Sequence, residues 1–486
     1  MADDHIHRVA VIGAGPGGIC TGIRLLHGGI DDFVILEKAN GVGGTWWHNR
    51  YPGAECDVQS HLYSFSFEPK PDWSRPYAGQ AEILGYLEHC ADKYGVTPFI
   101  RFGDAVETLR WQERDGCWHL STAAGRTWRA RSVVAAQGMF NEPAYPDIEG
   151  LDTFAGVAFH SARWNHDHSL AGRRVAVIGS AASAVQFIPE IAPQVDTLTI
   201  YQRTANWVLP KQDTPYTAEE IARFRRDPMA LAALRRQLEA QLEGFITFSN
   251  PDALRAAEEA GLENLSVVRD PAVRERLVPR HPFGCKRPLL SNVYYPVFNE
   301  PHVRLVTEPI ARITPRGIVT ADGTLREADT LILATGFRTG LYLGALDVVG
   351  RGGRRLGEAW AEGAHAYLGM VTPGFPNLFM LYGPNTNNGC ILTMLELQVD
   401  YVLRALEHLE AERLAWLDVR EDVCACYNAA LQREIAGVAV WQAGCNGYYR
   451  APSGRVVTQW PHTMAEFARR TARLDPAAYE ICARAG

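Results

Sequence analysis

At 486 residues the chain is long enough for about three domains or two large ones with more than one buried core, which excludes peptide-scale and disulfide-stapled architectures. Apolar residues at 47% and charged residues at 21% match ordinary folded proteins, so a disordered or fibrous chain is excluded as well. The 48 basic and 55 acidic side chains leave a net charge of −7, a poor footing for nucleic acid or an anionic membrane.

The opening MADDHIHRVA begins with acids and runs into a strand, which predicts a cytoplasmic rather than a secreted protein. No stretch reaches the ~18 uninterrupted apolar residues of a membrane span. Two distant segments look alike: RVAVIGAGPGGICTGIRLL from Arg8 and RVAVIGSAASAVQFIPEIA from Arg174. In each, a β-branched run reads as a strand buried on both faces of a parallel sheet, followed by a small-residue turn and an apolar-periodic helix. Between them, residues 106–138 alternate apolar and polar around Asp115-Gly116 and Gly125, as antiparallel hairpin strands do. From Thr214 to Val268 the periodicity is helical, strand signals return near Val303 and at Thr330 to Ala334, and a long amphipathic helix starts near Leu395. The ten cysteines are scattered; the nearest pair, Cys424 and Cys426, is not CxxC, and all ten are expected to be reduced thiols.

The predicted fold is therefore α/β, with two Rossmann-like dinucleotide-binding domains, the second carrying a helical insertion. The spans are 1–150 and 329–486 for the first domain, 151–212 and 284–328 for the second, and 213–283 for the insertion.

Gly13, Gly15 and Gly18 occupy the GxGxxG positions: a tight turn, a close backbone approach to a pyrophosphate, and close packing of helix on strand. The helix N-terminus then faces the phosphates. Glu37 closes the next strand, FVILE, where a carboxylate accepts bonds from ribose hydroxyls and repels a 2′-phosphate, so this site suits FAD or NAD. In the second unit Gly179 and Ser180 begin the turn, but Ala181 and Ala184 stand at the other glycine positions. Arg203, with Thr204 beside it, lies 24 residues past Gly179, as Glu37 lies 24 past Gly13. A guanidinium there forks onto a 2′-phosphate. The pair of sites reads as FAD in the first domain and NADPH in the second.

FAGVAFHSARWN, with Phe154, Gly156, His160 and Trp164, resembles the FxGxxxHxxxW fingerprint of type I Baeyer-Villiger monooxygenases, which turn ketones into esters or lactones. The fingerprint ends here in Asn165 where the family has Pro or Asp. GTWWHNRYPGAECD, carrying Trp46, Tyr51, Pro52, Gly53 and Asp57, is similar to the family pattern GxWxxxxYPGxxxD, and ATGF at Ala334 and KRPLLSNVYYPVFN at Lys286 also match. The resemblance implies Arg287 as the active-site arginine. A cation beside a flavin C4a-peroxide keeps it deprotonated for attack on a carbonyl carbon, and Asp57 can pin that arginine by a bidentate pair. Arg287, Asp57 and His160 are the candidate catalytic residues, although His160 would relay cofactor position from the linker between domains. Trp46 joins the expected flavin contacts, and Lys286 adds charge for the 2′-phosphate.

Gly383 to Met394 corresponds to the family's pocket loop and Cys445 to Tyr449 to its mobile C-terminal segment, with Tyr448 where many relatives have Trp. The expected partners are a small ketone and O2, without nucleic acid or a membrane span, in a monomer or weak homo-oligomer. Two alternatives stay open at this point: N- or S-oxygenation by the same flavin, and an FAD-binding redox module without oxygenase activity.

Overall fold

Val9 and Val11 share one hydrophobic core with residues of the helices Pro16–His27, Gln80–Lys93 and Ile391–Ala411, while Ala10 and Ile12 face a second core on the other side of the sheet. This period of two explains why residues 9–12 are apolar throughout: neither face of this end of the strand Ala2–Ile12 meets water. The computed structural model describes residues 2–445 and 447–484. Met1, Ala485 and Gly486 at the ends of the predicted spans, and Asn446 within the segment from Cys445 to Tyr449, lie outside the described residues.

The first sheet has eight strands. Ala2–Ile12 lies between Phe33–Glu37 and Thr127–Ala135, parallel to both, and Leu378–Met380 also pairs in parallel with Thr127–Ala135. The alternating segment forms the antiparallel strands Val106–Gln112, Cys117–Thr122 and Thr127–Ala135, which continue this same sheet. The second sheet has five strands, all parallel, in the order Val303–Val306, Thr197–Tyr201, Arg174–Ile178, Thr330–Leu333, Val157–His160. Its order sets the expected boundary at 329 too early. Thr330–Leu333 is hydrogen-bonded on both sides within the second sheet, so the chain returns to the first only beyond Leu333.

The helical excursion consists of Ala218–Arg226, Pro228–Ile246, Pro251–Leu265 and Pro271–Leu277. Thr217, Asp227, Asn250 and Asp270 cap their N-termini, the last three with proline at the first helical position, where its missing N–H costs nothing. Leu238 and Ile246 pack into the core shared by Val9 and Val11, and Leu265 and Leu277 into the core of the second sheet, so the excursion braces both sheets.

One cysteine expectation is overturned: Cys285 and Cys445 form a disulfide with their Cα atoms 6.1 Å apart. Their sequence separation is 160, and only the fold brings them together, so spacing rules do not see the pair. The other eight cysteines are free, six of them buried.

Candidate active site

The first cradle follows from the turn after Ala2–Ile12. Gly13 has φ +99°, and a Cβ there would lie 2.9 Å from the Ala136 carbonyl oxygen; at Gly18 a Cβ would lie 1.9 Å from the Gly13 oxygen. Helix Pro16–His27 starts without a side-chain cap, so its first N–H groups are left for a ligand. Gly15, as N-cap, brings backbone close to Gly44. Glu37 is buried, its two oxygens receiving the N–H groups of Ala14 at 2.6 Å and Ala39 at 2.7 Å. These bonds fix the carboxylate at the strand end and leave lone pairs for ribose hydroxyls. Trp46, from the short helix Thr45–His48, donates to the Tyr63 hydroxyl at 3.0 Å and lines the same cleft.

The second cradle repeats this geometry with different chemistry. Gly179 has φ +113°, and a Cβ there would lie 2.3 Å from the Ala334 oxygen. Helix Ala182–Ile191 also begins without a side-chain cap, with Ala181 as N-cap. Ser180 is buried at the turn, and Arg203 and Thr204 are exposed on the cleft just past Thr197–Tyr201. Lys286 lies close enough to Arg203 that burial first, then that neighbouring charge, push its pKa below the ordinary lysine value. Among the described residues neither cation has a carboxylate partner. Two uncompensated cations at one rim form a fitting seat for a phosphate dianion.

Between the cradles stands Arg287. Its Nε donates to Asp57 Oδ2 at 2.7 Å, and its Nη2 pairs with the same oxygen at 2.7 Å. The expected bidentate pair thus closes on a single carboxylate oxygen, through Nε and Nη2 and not through Nη1. The side chains are 34% and 38% exposed, opening onto the cleft, and the Asp57 charge holds the guanidinium pKa well above its usual value. Arg287 is therefore a permanent cation. Tyr382, Asn387, Tyr448 and Tyr449 line the cleft beside it.

The cleft runs through both cradles with a volume of about 2250 Å³. That is more than twice the usual upper size for one drug-sized ligand and suits two dinucleotides with a substrate between them. The segment from Gly44 to Asp57 joins the halves. Tyr51 donates to Gln186 at 2.8 Å, Gln186 donates to the Glu55 carbonyl at 3.0 Å, and Gly53 approaches so closely that a Cβ would meet the Gln186 oxygen at 2.8 Å.

His160 is placed differently from the other candidates. It ends the edge strand Val157–His160, is buried, and is not among the cleft-lining residues. Its Nδ1 accepts from the Ala162 N–H at 3.1 Å, its ring packs against Tyr145 and Phe337, and burial pushes its pKa down to about 4. This places the imidazole behind the wall rather than facing the cleft, unlike Arg287 and Asp57. Gly156 is required because a Cβ would lie 2.4 Å from the Asp329 oxygen, and Trp164 packs between Phe159 and Phe187.

Residue patterns missed a polar network under the pocket loop. The Tyr382 hydroxyl donates to Asn387 Oδ1, and Asn387 Nδ2 donates to Gln459 Oε1. Tyr382 has φ +54° and Asn385 φ +56°. Non-glycine residues held in the left-handed region cluster at functional sites, but no property of the sequence around Tyr382 announces that conformation.

Comparisons with known proteins agree with this geometry. The family described as "Pyridine nucleotide-disulphide oxidoreductase" matches residues 10–236, a stretch containing neither Cys285 nor Cys445. A Baeyer-Villiger monooxygenase of Streptomyces coelicolor is 43% identical over 488 residues, covering 98% of this chain and 93% of the relative. The crystal structure of cyclohexanone monooxygenase from Rhodococcus sp. Phi1 bound to NADP+ superposes with a TM-score of 0.90 at 29% identity, covering 99% of this chain and 100% of that one. OTEMO in complex with FAD and NADP gives 0.89 at 28% identity over 99% and 100% of the two chains. Two uncapped helix N-termini opening on one cleft, and an arginine clasped between them, thus belong to a fold shared along the whole chain, which is a member of the Baeyer-Villiger monooxygenase family.

Proposed function

We infer that the chain inserts one atom of O2 beside the carbonyl of a small ketone to give an ester or lactone, with Arg287 as the catalytic cation. Gly13, Gly15, Gly18, Glu37 and Trp46 would hold FAD; Gly179, Ser180, Arg203, Thr204 and Lys286 would hold NADPH. When bound, the flavin takes hydride from the nicotinamide and delivers oxygen to the substrate.

The observation carrying this reading is the Asp57 clasp, which fixes a guanidinium with one free edge between the two cradles. Such a cation lies ready where negative charge develops on the substrate oxygen, without reorganising at the moment of reaction. Asp57 acts through Arg287 and is a positioning residue. His160 positions the strand end beneath Phe337, and Trp164 anchors the same segment. Among the described residues no helix is long and apolar enough to cross a membrane. We take the protein to be cytoplasmic, with eight of its ten cysteines free beside one disulfide, and to act as a monomer or weak homo-oligomer.

Arg287→Ala tests the assignment. The variant should retain FAD and remain reducible by NADPH under anaerobic stopped flow, then on aeration release hydrogen peroxide and form no ester, because loss of one such preorganised group costs about 10² to 10³ in rate. Ester formation near the wild-type rate would remove Arg287 from its proposed role.

A further inference from the structure

Tyr448 is held from three sides. Its carbonyl accepts from Thr339 Oγ1 at 3.4 Å, and its ring meets Phe140 edge-on at 5.8 Å and Tyr449 at 4.9 Å. The disulfide at Cys445 ties the same stretch of chain to Cys285, two residues before Arg287. The ring is thereby fixed on the cleft wall beside the guanidinium.

Its hydroxyl is the anomaly. Tyr448 Oη is shielded from solvent yet has no hydrogen-bond partner within normal geometry. Buried hydroxyls are rarely left in that state without a functional reason. Arg287 and Asn387 both lie within reach of it, without closing a bond of normal geometry. A guanidinium has donors only. Asn387 is engaged at both ends, its oxygen by the Tyr382 hydroxyl and its nitrogen by Gln459. The phenol thus makes no hydrogen bond of normal geometry to the protein, and an acceptor for its proton is the kind of atom a carbonyl substrate brings.

Resting on the Baeyer-Villiger reading, we propose that Tyr448 is a specificity-determining residue whose hydroxyl donates to the oxygen of the bound ketone, forming with the free edge of Arg287 a two-donor seat for the carbonyl. A ketone oxygen has two lone pairs, and this seat serves both. Ligands of equal shape without an acceptor oxygen lose this contact, so the site discriminates by hydrogen bonding as well as by volume.

The test is Tyr448→Phe, which removes one oxygen and keeps the ring. Binding of cyclohexanone and of its isostere methylenecyclohexane is titrated by the flavin absorbance change of the oxidised, NADP+-loaded holoenzyme, and NADP+ affinity is measured separately. The variant should bind cyclohexanone about tenfold more weakly. Methylenecyclohexane and NADP+ affinities should stay within about twofold of wild type, and a larger share of NADPH should end in hydrogen peroxide. Equal losses for both ligands would mean simple loosening of the wall, a loss confined to NADP+ would assign the hydroxyl to the nicotinamide, and unaltered cyclohexanone affinity would remove it from recognition. Each of these overturns the proposal. Product analysis of the wild type judges the parent reading independently: ester from wild type with unaltered binding in the variant sinks only the role of Tyr448.

Discussion

Glu37 ends one strand and Arg203 lies just past the equivalent one in two similar units, and the proposed assignment of the two nucleotides rests on their opposite charges. Arg203→Ala should weaken NADPH binding about tenfold to a hundredfold, from about 1.5–3 kcal/mol for a charged hydrogen bond, and leave NADH affinity where it was. Titration of both nucleotides checks this; an unaltered ratio would free Arg203 of the 2′-phosphate. Glu37→Ala removes the acceptor of two backbone N–H groups as well as the ribose contact, so FAD content after gel filtration should fall while NADP+ binding persists. The positions of these residues at strand ends were legible because the turn glycines and strand patterns before them act locally. The Asp57 and Arg287 pair spans 230 positions and was reached only through a family resemblance, and its clasp on one oxygen could not be reached at all, since side-chain geometry is set by the packed cleft. Tyr382, Asn387 and Gln459 gave no local signal for the same reason.

Helices and strands were legible where the pattern of burial decides them. Both strand–turn–helix units, the antiparallel extension and the helical excursion all stand where periodicity placed them, and the Asp-Pro and Asn-Pro steps at 227, 250 and 270 mark helix starts. The position of Thr330–Leu333 was not legible, because a short apolar run fits the centre of either parallel sheet. The Cys285–Cys445 link escaped as a pure product of tertiary proximity. By closing a long loop it should contribute about 2–5 kcal/mol, so reduction by a dithiol should lower the denaturation midpoint of the wild type. Cys445→Ser should start at the lower value and show no response to the dithiol. A wild type equally indifferent to reduction would show that the link contributes nothing.

Across the whole molecule, His48, His61 and His160 are each held near a pKa of about 4 by burial, against 6.5 for a free histidine. Between those values the unfolded chain binds protons that the folded chain refuses, so stability should be level above about pH 7 and fall as pH drops from about 6.5 towards 4. Asp72 and Glu466, lowered to about 2 by Lys70 and by Arg469 respectively, add their loss only below about pH 4.5. Thermal unfolding at pH 8, 7, 6 and 5 should therefore show the decline begin before the carboxylates titrate, and a flat profile down to pH 5 would contradict the burial of these rings. The measurement that bears most directly on the account is the fate of oxygen. Holoenzyme supplied with NADPH, isotopically labelled O2 and a panel of ketones should yield an ester or lactone carrying one labelled atom for each NADPH consumed. NADPH oxidised to hydrogen peroxide alone across the panel, or an ester without label, would contradict it.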